Sequence, residues 1–232
     1  MLSEILPKRQ ILIFHGVGAL PSRAVDSAER NFWSREDTLL GVANAAVIDN
    51  CIEITFDDGN ISDLRVAAPI LAERGLSATF FILGGRIGWQ DFLSARDIRE
   101  LDRLGMVVGS HGMDHVHWPA VDDVALHREL AVSKSVLEDI LGKPVLTAAV
   151  PFGDFDGRSL RKALSVGYQN VYTSSGGFAS KVMRILPRTS VRNESYPVLG
   201  VQDRLISGVR NHARLLKHRV NGYASMTSAG QD

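Results

Sequence analysis

A chain of 232 residues exceeds what one small core needs but stays within the size of a single α/β barrel, and no second core is visible, so one domain is expected. Hydrophobic residues at 45% and charged residues at 22% exclude a wholly disordered chain, and 26 basic against 26 acidic side chains exclude a global field that would draw nucleic acid. The one cysteine, Cys51, has no intramolecular partner, and its place before the alternation Ile52, Ile54, Phe56 reads as a buried structural thiol rather than a nucleophile.

In chain order, Glu4, Lys8 and Arg9 precede an apolar stretch at 11–14 that is too brief for a signal-peptide core. No run approaches a membrane span, so a cytoplasmic location is expected. Short apolar runs at 11–14, 52–56, 78–83, 106–109, 145–149 and 170–173 are predicted strands. Helical patterns lie between them. After Ser62 the stripe Leu64, Ala68, Leu71 contains Pro69, which should kink the helix or move its start, and Gly75 stops it. Ser94 with Asp97 makes a capping box ahead of Ile98, Leu101 and Leu104, and Gly105 ends that helix. A longer helix starts near Asp122, carries Leu126, Leu130, Leu137 and Leu141 on one stripe, and ends at Gly142 before Pro144.

Repeated strand, helix, strand order predicts parallel strands with crossover helices, as a barrel or a doubly wound sheet. Both architectures gather active groups at the strand C-terminal ends. The expected organisation is a barrel over 1–200, a basic helix over 201–220 and a mobile tail over 221–232. The 201–220 segment has the stripe Leu205, Val209, Leu216 with Arg204, Arg210, Arg214, Lys217 and Arg219 against one acid, Asp203. It reads as a closing helix packed on the barrel, with a membrane-surface contact as the alternative.

Phe56-Asp57-Asp58-Gly59 sits where a strand meets a loop. Adjacent carboxylates there point in different directions, so one can bind a metal while the other stays free as a base; alone, the pair also fits an exposed Asp-Gly turn. His111 and His115, four apart, also follow a strand. The zinc protease motif wants glutamate directly after the first histidine and a helix carrying both, whereas Gly112 follows His111, and Gly109 and Gly112 argue for a loop. Two histidines and one carboxylate suit a catalytic divalent cation, zinc by default, with iron, cobalt or manganese as alternatives. His117 is the nearer rival ligand, and His127 lies in the long helix with no second ligand on its turn.

Thr55-Phe56-Asp57-Asp58-Gly59, with the downstream Ala78-Thr79-Phe80-Phe81, and Gly109-Ser110-His111-Gly112-Met113-Asp114-His115 resemble the first two motifs of the polysaccharide deacetylase (NodB-like) family, carbohydrate esterase family 4, over residues 11–191. The resemblance implies a distorted (β/α)7 barrel that removes the N-acetyl group from an amino sugar in a glycan or glycoconjugate. It implies Asp57 as general base and Asp58, His111 and His115 as metal ligands. Pro151-Phe152-Gly153 resembles the third motif, in which Phe152 would offer its backbone N–H to the oxyanion.

Several family features are missing. The arginine of the third motif should fall at Ala149, the tryptophan motif finds only Tyr172-Thr173-Ser174-Ser175, and no late Leu-x-His strand follows. Instead Ile13-Phe14-His15-Gly16 resembles a branch with the histidine strand at the N-terminus, which gives His15 the acid role. In that branch Leu186-Pro187-Arg188 follows the last strands, so Arg188 either replaces the absent arginine beside Asp57 or is a surface arginine near a turn. Trp118 and Trp89 lie near predicted loop ends and are candidate surfaces for stacking a pyranose, with packing as the other reading. The rival functions are hydrolysis of a non-sugar amide and non-catalytic glycan binding. Nothing in the sequence sets an oligomeric state.

Overall fold

The computed structural model describes residues 9–192. The expected helix over 201–220 and the tail over 221–232 lie outside these residues. The strands are β1 (Arg9–Phe14), β2 (Gly16–Val17), β3 (Trp33–Ser34), β4 (Ile52–Phe56), β5 (Thr79–Ile82), β6 (Val107–Ser110), β7 (Thr147–Ala149), β8 (Asn170–Thr173), β9 (Phe178–Ala179), β10 (Ile185–Pro187) and β11 (Thr189–Ser190). The main sheet runs β10-β8-β7-β6-β5-β4-β1-β11, every pair parallel, with β9 antiparallel against β1. Its two ends, β10 and β11, are separated in the chain only by Arg188. The sheet therefore curls into a nearly closed barrel of eight strands.

Side-chain alternation sets what faces the axis. Ile11, Phe81, Ala149, Tyr172, Ala179 and Leu186 form the inner cluster, while Leu12, Phe14, Ile54, Phe56 and Phe80 join the larger core between sheet and helices. In that outer layer Phe14, Phe56 and Phe80 stack at centroid distances of 5.4 and 4.6 Å. Truncating one such ring costs about 3–5 kcal/mol. The same alternation along β4 turns Thr55 and Asp57 toward the barrel axis, opposite to Ile54 and Phe56.

Pro69 lies within a helical run over 61–72, just after a wide turn. The wide turn Asp63–Ala67, closed by the Ala68 N–H on the Asp63 carbonyl, passes directly into the α-helix Ala68–Ala72, so the proline's missing donor falls where the ladder is already widened. The capping box of Ser94 and Asp97 opens helix Ala95–Arg103. The long helix runs from Asp123–His127 through a wide turn over Arg128–Val132 into Ser133–Leu141, ending on left-handed Gly142. Between β1 and β4 lie two further helices, Ser27–Phe32 and Glu36–Ile48. Cys51 departs from expectation: it lies in the turn before β4, half-buried rather than enclosed. No helix among the described residues is long and apolar enough to cross a membrane.

Candidate metal centre and active site

Asp57 directly follows β4 and faces the barrel interior, its N–H bonded to the Phe14 carbonyl at 2.9 Å. There it meets Arg188. The fully buried guanidinium grips the carboxylate in a fork, Nη1 to Oδ1 at 2.7 Å and Nη2 to Oδ2 at 2.8 Å. Nη1 also donates to Thr55 Oγ1 at 3.0 Å and Nε to the Thr173 carbonyl at 3.2 Å, while the Phe81 ring lies 4.9 Å from the guanidinium carbon. Four directed bonds from one planar group fit arginine and not lysine. Burial pushes the Asp57 carboxyl up, but Arg188, with help from His111, outweighs it and leaves the group lowered from 3.8 to about 2.

The next residue turns away. Asp58 has φ 77° and Gly59 φ 75°, a sharp left-handed turn that aims the Asp58 carboxylate along the rim. Asp58 Oδ1 is buried and has no hydrogen-bond partner. It lies 3.6 Å from His111 Nε2 and 3.7 Å from His115 Nε2, and one ligand atom from each residue falls within 4.8 Å of the others. Ligand atoms on one tetrahedral zinc stand about 3.4 Å apart, so the spacing suits a shared cation. His111 Nδ1 lies 3.0 Å from the Ala149 carbonyl and donates to it, which orients the ring so that Nε2 is the atom turned toward Asp58. Burial, then His111, holds His115 down to about 4, so its ring is neutral near pH 7, as a ligand must be. An orphaned carboxylate oxygen beside the Nε2 atoms of two imidazoles fits a divalent cation. His111→Ala is expected to remove most bound metal, because two ligands leave it under-coordinated; stoichiometric zinc in the folded variant would refute the assignment.

The loop carrying both histidines is held from two sides. Gly84 and Gly85 donate their N–H groups to the carbonyls of Gly112 and Met113, at 2.9 and 3.0 Å. From the other side the buried Glu129 accepts the Met113 and Asp114 N–H groups, each at 2.9 Å. Glu129 lies in the wide turn of the long helix, and Gly112 at φ 86° is required because a Cβ there would collide with the Glu129 carboxylate. His115 itself has φ 57°, a conformation that needs this support. Glu129→Gln would set an amide NH2 against one of the two N–H groups it now accepts. The expected result is cation affinity about tenfold or more weaker in a chelator competition; unchanged affinity in a folded variant would show that the glycines alone hold the loop.

His15 follows β1, its Nδ1 buried without a partner and its ring within the electrostatic reach of Asp58, Asp57, His111 and Arg188. Burial lowers its pKa, opposed by Asp58 and Asp57. Asp63 is fully buried, and burial followed by the charges of Asp58 and Asp57 raises its carboxyl well above the usual range. Phe152, at the end of β7 with φ 58°, is 55% exposed, and its ring lies 4.3 Å from His115 and stacks on His117 at 4.2 Å. His117 Nδ1 lies 3.1 Å from Asp154 Oδ2 and stays outside the ligand cluster, and His127 is exposed on the long helix.

Trp118 corrects an expectation. Its ring is fully buried in the core between sheet and helices, tucked under the turn Trp118–Ala120, and presents no surface to a sugar. Trp89 is 62% exposed. Glu129 and Asp63 carry no signal in the sequence, since each reads as an ordinary polar helix residue.

A barrel with a buried carboxylate in an arginine fork beside three residues that could hold a metal ion, all at the strand ends, is arranged as a hydrolase site would be. The polysaccharide deacetylase family model matches residues 44–171, more than half of the chain, and the chain belongs to that family. His15 and Arg188 fall outside the matched segment. YxkH of Bacillus subtilis (strain 168), named for the polysaccharide deacetylases, is 26% identical over 187 residues, 75% of this chain and 67% of that protein. A chitooligosaccharide deacetylase of Rhizobium leguminosarum bv. trifolii is 28% identical over 127 residues, 54% of this chain and 57% of the relative. The matches thus span between about half and two thirds of these relatives. Among solved structures, the Streptococcus pyogenes deacetylase PplD superposes with a TM-score of 0.71 at 21% identity, over 87% of this chain and 98% of that one. IcaB from Ammonifex degensii gives 0.65 at 21% identity, over 80% and 92%. These likenesses show the shared barrel fold.

Proposed function

We propose that the chain is a metal-dependent hydrolase that removes the N-acetyl group from an amino sugar in a glycan or glycoconjugate, releasing acetate. The observation that carries this reading is the Arg188 fork on Asp57 beside the Asp58, His111, His115 cluster. Family membership and relatives named as chitooligosaccharide and peptidoglycan N-acetylglucosamine deacetylases support the substrate class. A divalent cation held by Asp58, His111 and His115, zinc first among them, would polarise the acetamide carbonyl and lower the pKa of a water beside it.

Asp57, ionised and held still by Arg188, accepts the proton of the attacking water. The Phe152 backbone N–H donates to the oxyanion that forms on the carbonyl oxygen, a contribution worth about 10²-fold or more in comparable sites. His15 gives a proton to the departing nitrogen, without which an amine is a poor leaving group. Because burial disfavours the protonated form of His15, activity that depends on it falls as pH rises through its lowered value.

The test is acetate release from a panel of N-acetylated glycans by metal-loaded protein, run beside His15→Ala. The variant is expected to keep its metal, to lose at least about 10²-fold in turnover on the amide, and to lose less on 4-nitrophenyl acetate, whose leaving group needs no proton. Equal losses on both would place the proton donor elsewhere. Release from a non-sugar amide with none from any glycan would replace the sugar reading by that of a general amide hydrolase.

A further inference from the structure

We propose that Phe32 and Phe152 form the two walls of a sugar subsite, with an N-acetylhexosamine ring between them and its acetamido group over Asp58, His111 and His115. This rests on the amino-sugar deacetylase reading.

Phe32 is brought to the rim by pairing that local sequence does not announce. The short parallel pair β2 and β3 sets Gly16 against Trp33, so the residue before Trp33 falls beside the residue before Gly16. Phe32 accordingly lies against His15, ring centroids 4.9 Å apart and tilted 45°. The close approach needs glycine, because a Cβ at Gly16 would overlap the Trp33 ring, and Trp33 Nε1 fastens the pair by donating to the Gly18 carbonyl at 3.0 Å. The excursion between β2 and β3 is tied down as well. Arg23 joins Glu29 and the Asn60 side-chain oxygen, and the Asn60 amide donates to the His15 carbonyl. Ser22 and the Arg23 N–H hold the Asp91 carboxylate at 2.7 and 2.8 Å.

Phe152 occupies the other side. In the order β10-β8-β7-β6-β5-β4-β1-β11, closed through Arg188, the strand that precedes Phe152 (β7) and the strand that precedes His15 (β1) stand halfway around the ring from each other. The ligand cluster comes from the ends of β4 and β6, which lie between them on one side. Each ring is also backed by a neighbour: His117 stacks on Phe152 with an interplanar angle of 11°, and the Arg192 guanidinium lies 5.0 Å from the Phe32 centroid. Aromatic rings on opposite sides of the ring of strands, with the ligand cluster between the strands that carry them, suit a ligand with two apolar faces and a polar edge, which is the shape of a pyranose. A linear amide has no such faces. With Trp118 in the core, these rings are the aromatic surfaces in contact with histidines of the site.

The test is steady-state kinetics on the best substrate from a panel headed by penta-N-acetylchitopentaose, for wild type, Phe32→Ala, Phe32→Leu and Phe32→Tyr, with bound metal measured in each. Phe32→Ala and Phe32→Leu are expected to raise KM about tenfold or more with kcat within a few-fold and metal content unchanged, while Phe32→Tyr, which keeps the ring, keeps the wild-type KM. The leucine variant fills most of the same space, so it separates loss of the flat surface from loss of packing. An unchanged KM, or a loss confined to kcat, would overturn the subsite; the second result would make Phe32 a positioning residue behind His15. If the wild type releases no acetate from any glycan, the deacetylase reading fails and the subsite with it, an outcome distinct from failure of the variants alone.

Discussion

Asp57→Asn is expected to retain the cation and lose about 10²- to 10⁴-fold in turnover, the usual contribution of a positioned general base. The amide keeps the shape of the side chain, so Asp58, His111 and His115 remain in place, but it cannot take a proton from water. The substitution also has a cost in stability. Arg188 is fully buried, and the variant leaves its charge facing only neutral acceptors, Thr55 Oγ1, the Thr173 carbonyl and the new amide oxygen. Breaking a buried ion pair from one side costs about 3–5 kcal/mol. Rates must therefore be taken per folded molecule, with the folded fraction fixed by a denaturant titration. Loss of metal in proportion to activity would mean that the roles of the adjacent carboxylates are exchanged.

What was legible in the sequence was what is local. β4 is marked by the alternation Ile52, Ile54, Phe56 ahead of Gly59 and β6 by a short apolar run ending at Gly109, and both place their motif residues at strand C-terminal ends. Arg188 stood as one of two readings, because its partner is distant in the chain and the choice depends on how the sheet closes. Strands of two or three residues such as β10 and β11 are too short for alternation to register. The helix Glu36–Ile48 has no sequence signature for a related reason: its run of apolar and small residues separates no polar face from an apolar one. Trp118 was misplaced because proximity to a loop end does not tell a ring tucked under the turn from one standing on it. Phe32 and Glu129 depend on a long-range strand pair and on a wide helical turn, and neither has a spacing signature.

Arg188→Met is the second large effect, and its sign can be worked out. In the wild type the folded-state value for Asp57 is depressed from 3.8 to about 2, so the pair contributes stability that is present above about pH 4 and is lost as pH falls toward 2. That contribution is about 2 kcal/mol. Methionine fills much of the space over the Phe81 ring but removes the guanidinium, and burial, the largest influence on Asp57, is then opposed only by the weaker pull of His111 and His15. The carboxyl rises above its unfolded value, and the linkage reverses: ionising Asp57 now opposes folding, so the variant loses stability as pH rises instead of as it falls. Removing one partner of a buried pair should cost about 3–5 kcal/mol near neutral pH, partly recovered in mild acid where Asp57 becomes neutral. Activity follows the same shift, since a base that is protonated near neutrality cannot accept the water's proton, and the acidic limb of kcat should move up by one pH unit or more. Urea midpoints from pH 3 to 8 and a kcat profile over the same range test both. Parallel stability curves for variant and wild type, with coincident acidic limbs, would show that Arg188 neither sets the charge of Asp57 nor serves the base.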